Sequence, residues 1–236
     1  IHQGIITGDI TPVFCGAATK NWGIKTLLDT VANSFPRPTA RGCEKQIDAE
    51  GNVTDIAIDI DGTDTSIFIF KTVADPFVGK MSFFKVMNGS VKKDWILKNA
   101  RTGGEEKLAH IYVMKGNKQM EVDELACGDI GMVAKLNNTN TNDTLTWNSA
   151  FEYSKITYPT PYYGQTMIPA STADESKISQ SITKMCEEDY TIRYENNAET
   201  KEMIVYGLGD MHLAVLAAKM KNRFGVNVKY DTPKIP

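Results

Sequence analysis

Residues 171–195 read STADESKISQSITKMCEEDYTIRYE, and a change of period inside them decides the fold of the C-terminal part of the chain. Ser171 and Thr172 precede Asp174 and Glu175 at capping-box spacing, which starts a helix. Ile178, Ile182 and Met185 line one face of that helix. From 191 to 195 the pattern becomes that of a strand. Upstream, Met167-Ile168-Pro169 reads as a preceding strand; downstream, Asn196-Asn197 marks a turn and 203–206 returns as the second arm of a hairpin. Gly209-Asp210 opens another helix with Leu213, Leu216, Ala217, Met220 and Phe224 inward, and Gly225 stands where a left-handed cap belongs. With 226–230 as a last strand, the order β-α-β-β-α-β predicts a ferredoxin-like sandwich.

Working back along the chain, Tyr158-Pro159-Thr160-Pro161 reads as linker. From 53 to 147 there are strands and turns and no convincing long helix. Ile56, Ile58 and Ile60 alternate with other residues, 67–70 is apolar throughout, and 83–86, 109–114 and 132–136 follow, separated by Gly- or Asn-rich turns. Short strands at this spacing predict a small closed barrel. Pro36-Arg37-Pro38 is rigid punctuation ahead of it. Before that, Val13, Phe14 and Cys15 are consecutively apolar, as in a strand covered on both faces. Ile24, Leu27, Leu28, Val31 and Phe35 then form one stripe of a helix. Strand, turn, helix is half of a βαβ unit, and the residues before Thr11 are too few to hold a parallel neighbour with its crossover. The expectation is therefore three parts: 1–38, the end of a larger α/β domain; 39–152, an all-β barrel; 153–236, the ferredoxin-like sandwich.

The 236 residues carry 26 Lys plus Arg against 29 Asp plus Glu, so no global field draws the chain to nucleic acid or an anionic membrane. No apolar run approaches the ~20 residues of a membrane span, and the absence of an initiator Met suits an excised piece better than a signal peptide. Cys15, Cys43, Cys127 and Cys186 are far apart, without the C-x-x-C spacing that clamps zinc, which points to reduced thiols in a cytoplasmic protein. His2, His110 and His212 are scattered, so no metal set can be built on them.

Several phrases in order along the chain resemble bacterial translation elongation factor G. They are Phe70 to Lys80 (FKTVADPFVGK), Asn99 with Glu105-Glu106, Gly128-Asp129-Ile130-Gly131, Asp143-Thr144-Leu145, Glu187-Glu188-Asp189 and Gly207 to Leu213 (GLGDMHL). The resemblance implies the end of a GTP-binding domain, then the second and third domains, in a parent that uses GTP and Mg2+ on the ribosome. It also implies that Gly16-Ala17-Ala18 is the remnant of a guanine-contacting turn, with the backbone N–H of Ala18 offered to the base and the usual hydroxyl at position 17 missing. That turn is not expected to be competent alone. No G-x-x-x-x-G-K-[ST] string, the loop that holds nucleotide phosphates, occurs in the sequence. Asp59-Ile60-Asp61-Gly62 and Asn117-Lys118 mimic GTPase motifs by chance. No catalytic residue, cofactor or metal is expected within these residues.

The same resemblance places the barrel surface against small-subunit ribosomal RNA, where Lys80, Lys85, Lys92, Lys93 and Lys98 can bind phosphate as point charges. Within Asp75-Pro76-Phe77-Val78-Gly79-Lys80, Pro76 fixes a turn, Phe77 plugs an apolar gap and Gly79 permits an unusual backbone angle. Glu187-Glu188-Asp189 reads as a solvated edge, and His212 as a packing or hydrogen-bonding residue at a domain contact. Asn142 stands where the family commonly has Gly, Tyr190 where it has Pro, and Ala214 where it has an acid. The partners implied are the ribosome and the adjoining GTP-binding and fourth domains, with no membrane and a monomeric piece. Two other readings compete: a ribosomal protection protein of the tetracycline-resistance type, and a free-standing RNA-binding module using Tyr194 and Tyr206 as a stacking pair.

Overall fold

The computed structural model describes residues 1–48, 50–75, 78–148 and 151–234. The first part differs most from expectation. A short helix α1 (His2–Thr7), unforeseen in the sequence, precedes the expected α2 (Ile24–Ser34), and neither contains a buried residue. The apolar segment 13–15 forms no strand, and Val13 is 88% exposed. A strand exists through the ladder it shares with a neighbour; among the described residues no neighbour lies beside 13–15. What holds this segment is a turn: Ala17 and Trp22 exchange backbone hydrogen bonds at 3.1 and 3.2 Å. The turn needs Gly16, because a Cβ there would lie 2.8 Å from the Trp22 carbonyl oxygen.

Among the described residues thirteen strands follow: β1 (Cys43–Ile47), β2 (Val53–Ala57), β3 (Ser66–Asp75), β4 (Gly79–Asn88), β5 (Ser90–Lys92), β6 (Ile96–Asn99), β7 (Glu105–Lys107), β8 (Ile111–Lys115), β9 (Lys118–Val122), β10 (Glu124–Ala126), β11 (Ile130–Ala134), β12 (Thr144–Thr146) and β13 (Glu152–Tyr153). Eight pair antiparallel in the order β7-β6-β12-β3-β4-β11-β8-β9, while β13-β1-β2 and β10-β5 form small sheets beside them. The large sheet curls until side chains from its opposite halves meet. Leu97 and Leu145 pack with Ile67, Ile69, Phe84, Ile111 and Val133 in one core. Among the described residues its ladder ends at β7 and β9, so the expected barrel is a curled sheet whose ring is not closed by hydrogen bonds there. Pro76 and Phe77 lie outside the described residues; Gly79, beside them, has φ +88° and faces open space.

The last part is β14 (Tyr163–Pro169), α3 (Thr172–Glu188), β15 (Arg193–Asn196), β16 (Met203–Gly207), α4 (Asp210–Lys219) and β17 (Val228–Asp231), with the antiparallel order β15-β16-β14-β17. This is the ferredoxin-like arrangement the sequence predicts. Ser171 caps α3, accepting from the Asp174 N–H and donating to the Asp174 carboxylate at 2.6 Å. α4 ends through a π-turn over Met220–Phe224 and a left-handed Gly225 (φ +67°). Met167, Ile178, Ile182, Met185, Val205 and Leu213 form the core beneath the helices. The hairpin loop is longer than the two-residue turn expected. Asn197 accepts from the N–H groups of Glu199 and Thr200, and Lys201 takes φ +55°.

Candidate functional site

The barrel and the sandwich meet at a joint built from the C-terminal end of α3. Glu188 is the centre of it. Its side chain is only 7% exposed, and it accepts hydrogen bonds from the Arg223 guanidinium at 2.6 Å, the Lys219 ammonium at 3.4 Å and the Ala74 backbone N–H of β3 at 3.3 Å. The expected solvated edge is therefore corrected at Glu188, while Glu187 is exposed as expected: a carboxylate as enclosed as Glu188 is tolerable because two cations and an amide satisfy it. Two residues on, the Tyr190 hydroxyl donates to the Thr141 carbonyl oxygen at 3.2 Å, and its ring meets Tyr158 edge-on at 5.3 Å. Phe70 and Lys71 complete the wall on the barrel side.

A third tie runs through Asn142. At φ +76° it occupies the left-handed region, as its position in place of glycine anticipates. Its side-chain amide also does what glycine cannot. Nδ2 donates to the Ile156 carbonyl and Oδ1 accepts from the Ile156 N–H, at 3.0 and 2.9 Å, clamping the linker to the barrel. Beside it, Asp143 is 3% exposed and bound by the Arg101 guanidinium at 2.6 and 2.7 Å, by the Asn99 amide and by the Asn140 N–H. Burial alone would raise the Asp143 carboxyl, but Arg101, the Asn140 N–H and Asn99 together hold it below the usual carboxylate range. Two of the positions where the chain departs from the family phrases, Asn142 and Tyr190, thus converge on one joint. That coincidence was the only signal of it in the sequence.

His212 takes the hydrogen-bonding role expected of it, with both partners in the sandwich. The Leu208 N–H donates to Nδ1 at 3.1 Å, so the proton sits on Nε2 and is given to Asp189 at 3.2 Å. Burial pushes Asp189 up, yet the Thr191 donors and His212 outweigh it and hold it low. The Cys186 thiol is pushed up to about 11 by burial, which disfavours its thiolate form. Among the described residues no His, Cys, Asp and Glu cluster could hold a metal ion, and no helix is long and apolar enough to cross a membrane.

Of the five lysines, three are ion-paired and one is hydrogen-bonded to a neutral amide. Lys85 pairs with Glu44 at 3.2 Å, Lys92 with Glu124 at 3.6 Å and Lys93 with Asp123 at 2.5 Å, while Lys80 donates to the Asn140 amide oxygen at 2.8 Å. Lys98 stands exposed on β6 opposite Thr146. In the Gly16-Ala17-Ala18 turn, the Ala17 N–H is engaged by Trp22, whereas the Ala18 N–H has no acceptor among the described residues. Tyr194 and Tyr206 do not make a stacking pair. Register places Tyr194 opposite Val205 on the helix-covered face, and Tyr206 opposite Arg193, 4.3 Å away, on the other.

Comparison with known proteins agrees with this geometry. The family model for elongation factor G domain 2 matches residues 64–148, and that for elongation factor G domain III matches 158–232. Elongation factor G of Mycoplasma genitalium is 34% identical over 239 residues, and that of Ureaplasma parvum serovar 3 is 32% identical over 236; all of this chain aligns to each. The chain spans 34% of the length of these relatives. A crystal structure of a protein from Thermus thermophilus superposes with a TM-score of 0.73 at 26% identity, covering 91% of this chain and 30% of that one. The chain therefore belongs to the elongation factor G family, whose second and third domains it carries at residues 64–148 and 158–232.

Proposed function

We propose that these residues are docking and transmission machinery of a ribosome-binding translational GTPase, dividing into 1–38, 39–152 and 153–236. In this reading GTP and Mg2+ are handled by a nucleotide-binding domain outside the 236 residues, and hydrolysis there is coupled through the barrel and the sandwich to movement of tRNA and mRNA. The chain itself catalyses nothing, works in the cytoplasm and is monomeric. Ala18 would offer its N–H to guanine, and Lys80, Lys85, Lys92, Lys93 and Lys98 would approach small-subunit ribosomal RNA, most of them by exchanging a carboxylate for a phosphate.

The observation that carries the reading is the Glu188 joint. One carboxylate holds a backbone amide of the barrel and two cations of the sandwich, so a rotation of either unit must break or remake those bonds together. The test is co-sedimentation of the full-length parent with ribosomes, with and without a non-hydrolysable GTP analogue. Pelleting that requires the analogue supports a translational GTPase. Pelleting indifferent to nucleotide overturns it.

A further inference from the structure

Away from the joint, a cleft of about 480 Å³ opens between β1 with β13 and the barrel. Its floor is apolar: Phe68, Phe70, Met87 and Tyr153, with Ile130, 58% exposed, at the lip. A second cleft of about 420 Å³, which includes Arg37, adjoins it, and Arg41, Glu44 and Lys85 line both. At that common wall one carboxylate serves two cations. Glu44 takes Lys85 at 3.2 Å on one oxygen and Arg41 at 3.5 Å on the other. Arg37 adds a third cation and has no ion-pair partner among the described residues. Lys45, on the apolar side, is matched by Asp55 at 2.6 Å and adds no net charge.

Three cations against one acid reverse, locally, the sign of a chain whose net charge is −3. An ammonium carries three N–H donors and a guanidinium five, so each retains donors after its contact with Glu44. Beside them, aromatic rings line a space within the size range of small-ligand pockets. Phe68 and Tyr153 meet edge to face at 6.3 Å and form a buried apolar cluster with Met87, against which the partly buried Phe70 packs, so the floor a visitor would meet is hydrocarbon.

We infer that the joined clefts bind a small anion carrying a flat apolar body, with the anionic group between Arg37, Arg41 and Lys85 and the body on Phe68, Phe70 and Met87. That chemistry is shared by aromatic phosphate esters and aromatic carboxylates. The site is independent of the ribosome reading and gives Lys85 a partner other than RNA.

Isothermal titration of the 236-residue chain at low salt tests it with 1-naphthyl phosphate, 1-naphthaleneacetate, neutral 1-naphthalenemethanol and inorganic phosphate. Both aromatic anions should bind at least tenfold more tightly than either the neutral alcohol or inorganic phosphate, and the tighter of the two identifies the natural head group. Lys85→Met and the fully surface-placed Arg37→Gln should each weaken the anions at least threefold and leave the alcohol unchanged. Ile130→Glu, which sets a carboxylate at the lip, should weaken them at least tenfold. Equal binding of alcohol and phosphate ester, or indifference of the anions to both cation substitutions, overturns the inference.

Discussion

α2 and α3 make an instructive pair. Each carries an apolar stripe at helical spacing, and each was legible as a helix from that spacing alone. In α3 the stripe is enclosed: Ile178, Ile182 and Met185 are 4%, 0% and 0% exposed. In α2 the equivalent residues stay in water, with Leu28 at 60% and Val31 at 41%. Periodicity specifies that a helix has an apolar face. Only a sheet laid against that face turns it into stability.

The largest expected effect tests the enclosed side. Ile182→Ala removes buried methylenes where the surroundings are closely packed, and should destabilise the sandwich by about 2–5 kcal/mol. Amide hydrogen exchange in α3 and β16, followed against denaturant, reads this directly. A change no larger than that of a surface substitution would mean that the α3 core is not the enclosed one.

A polar counterpart sits in the barrel, beside the joint. Asp143 is lowered when folded, so the stability it contributes is complete above the ordinary carboxylate pKa near 4 and is lost as pH falls through the lower folded value. Asp143→Asn leaves Arg101 without its carboxylate and should cost about 1–3 kcal/mol near neutral pH, because Arg101 itself is partly exposed and water compensates it. Acid unfolding below about pH 4 should then be shallower in the variant than in the parent sequence. Parallel pH curves would remove Asp143 from the account.

What could be read from sequence follows the same division between a pattern and its partner. The cap at Ser171, the hairpin and Gly225 depend on neighbours a few residues away, and each was legible. Strand 13–15 was misread because an apolar run says nothing about whether a ladder waits beside it. Glu188 was misread because its barrel partner, the Ala74 N–H, is 114 residues distant, and an acid among acids looks solvated. Tyr194 and Tyr206 looked like a pair until register set them on opposite faces. Asn142 was legible as a left-handed turn, but its clamp on Ile156 required knowing where the linker runs.

The joint supplies a third, smaller test, since α3 differs from α2 also in being tied to the barrel at its end. A double-mutant cycle between Glu188→Gln and Arg223→Gln should give a coupling of about 1 kcal/mol, the scale for two groups in one network. Exchange at the Ala74 amide should quicken with Glu188→Gln and barely respond to Arg223→Gln, because only the former replaces its charged two-oxygen acceptor with a neutral amide that has one acceptor oxygen. Zero coupling with unchanged Ala74 exchange would mean that the barrel and the sandwich move independently of this carboxylate.

The smallest effect is the most pointed. Leu28→Ala in α2 should shift stability by less than about 0.5 kcal/mol, since a side chain already 60% in water loses little burial and alanine favours the helix. The same substitution in a chain extended at its N-terminus should cost about 2 kcal/mol or more if a sheet then covers the stripe, the ordinary range for truncating an enclosed leucine. Thermal unfolding of both chains, each with and without the substitution, makes the comparison within one experiment. A large loss in the 236-residue chain would show that α2 is already covered by a surface of this chain, and the contrast with α3 would fall; a negligible loss in both would show that the stripe stays in water even where more of the chain precedes it.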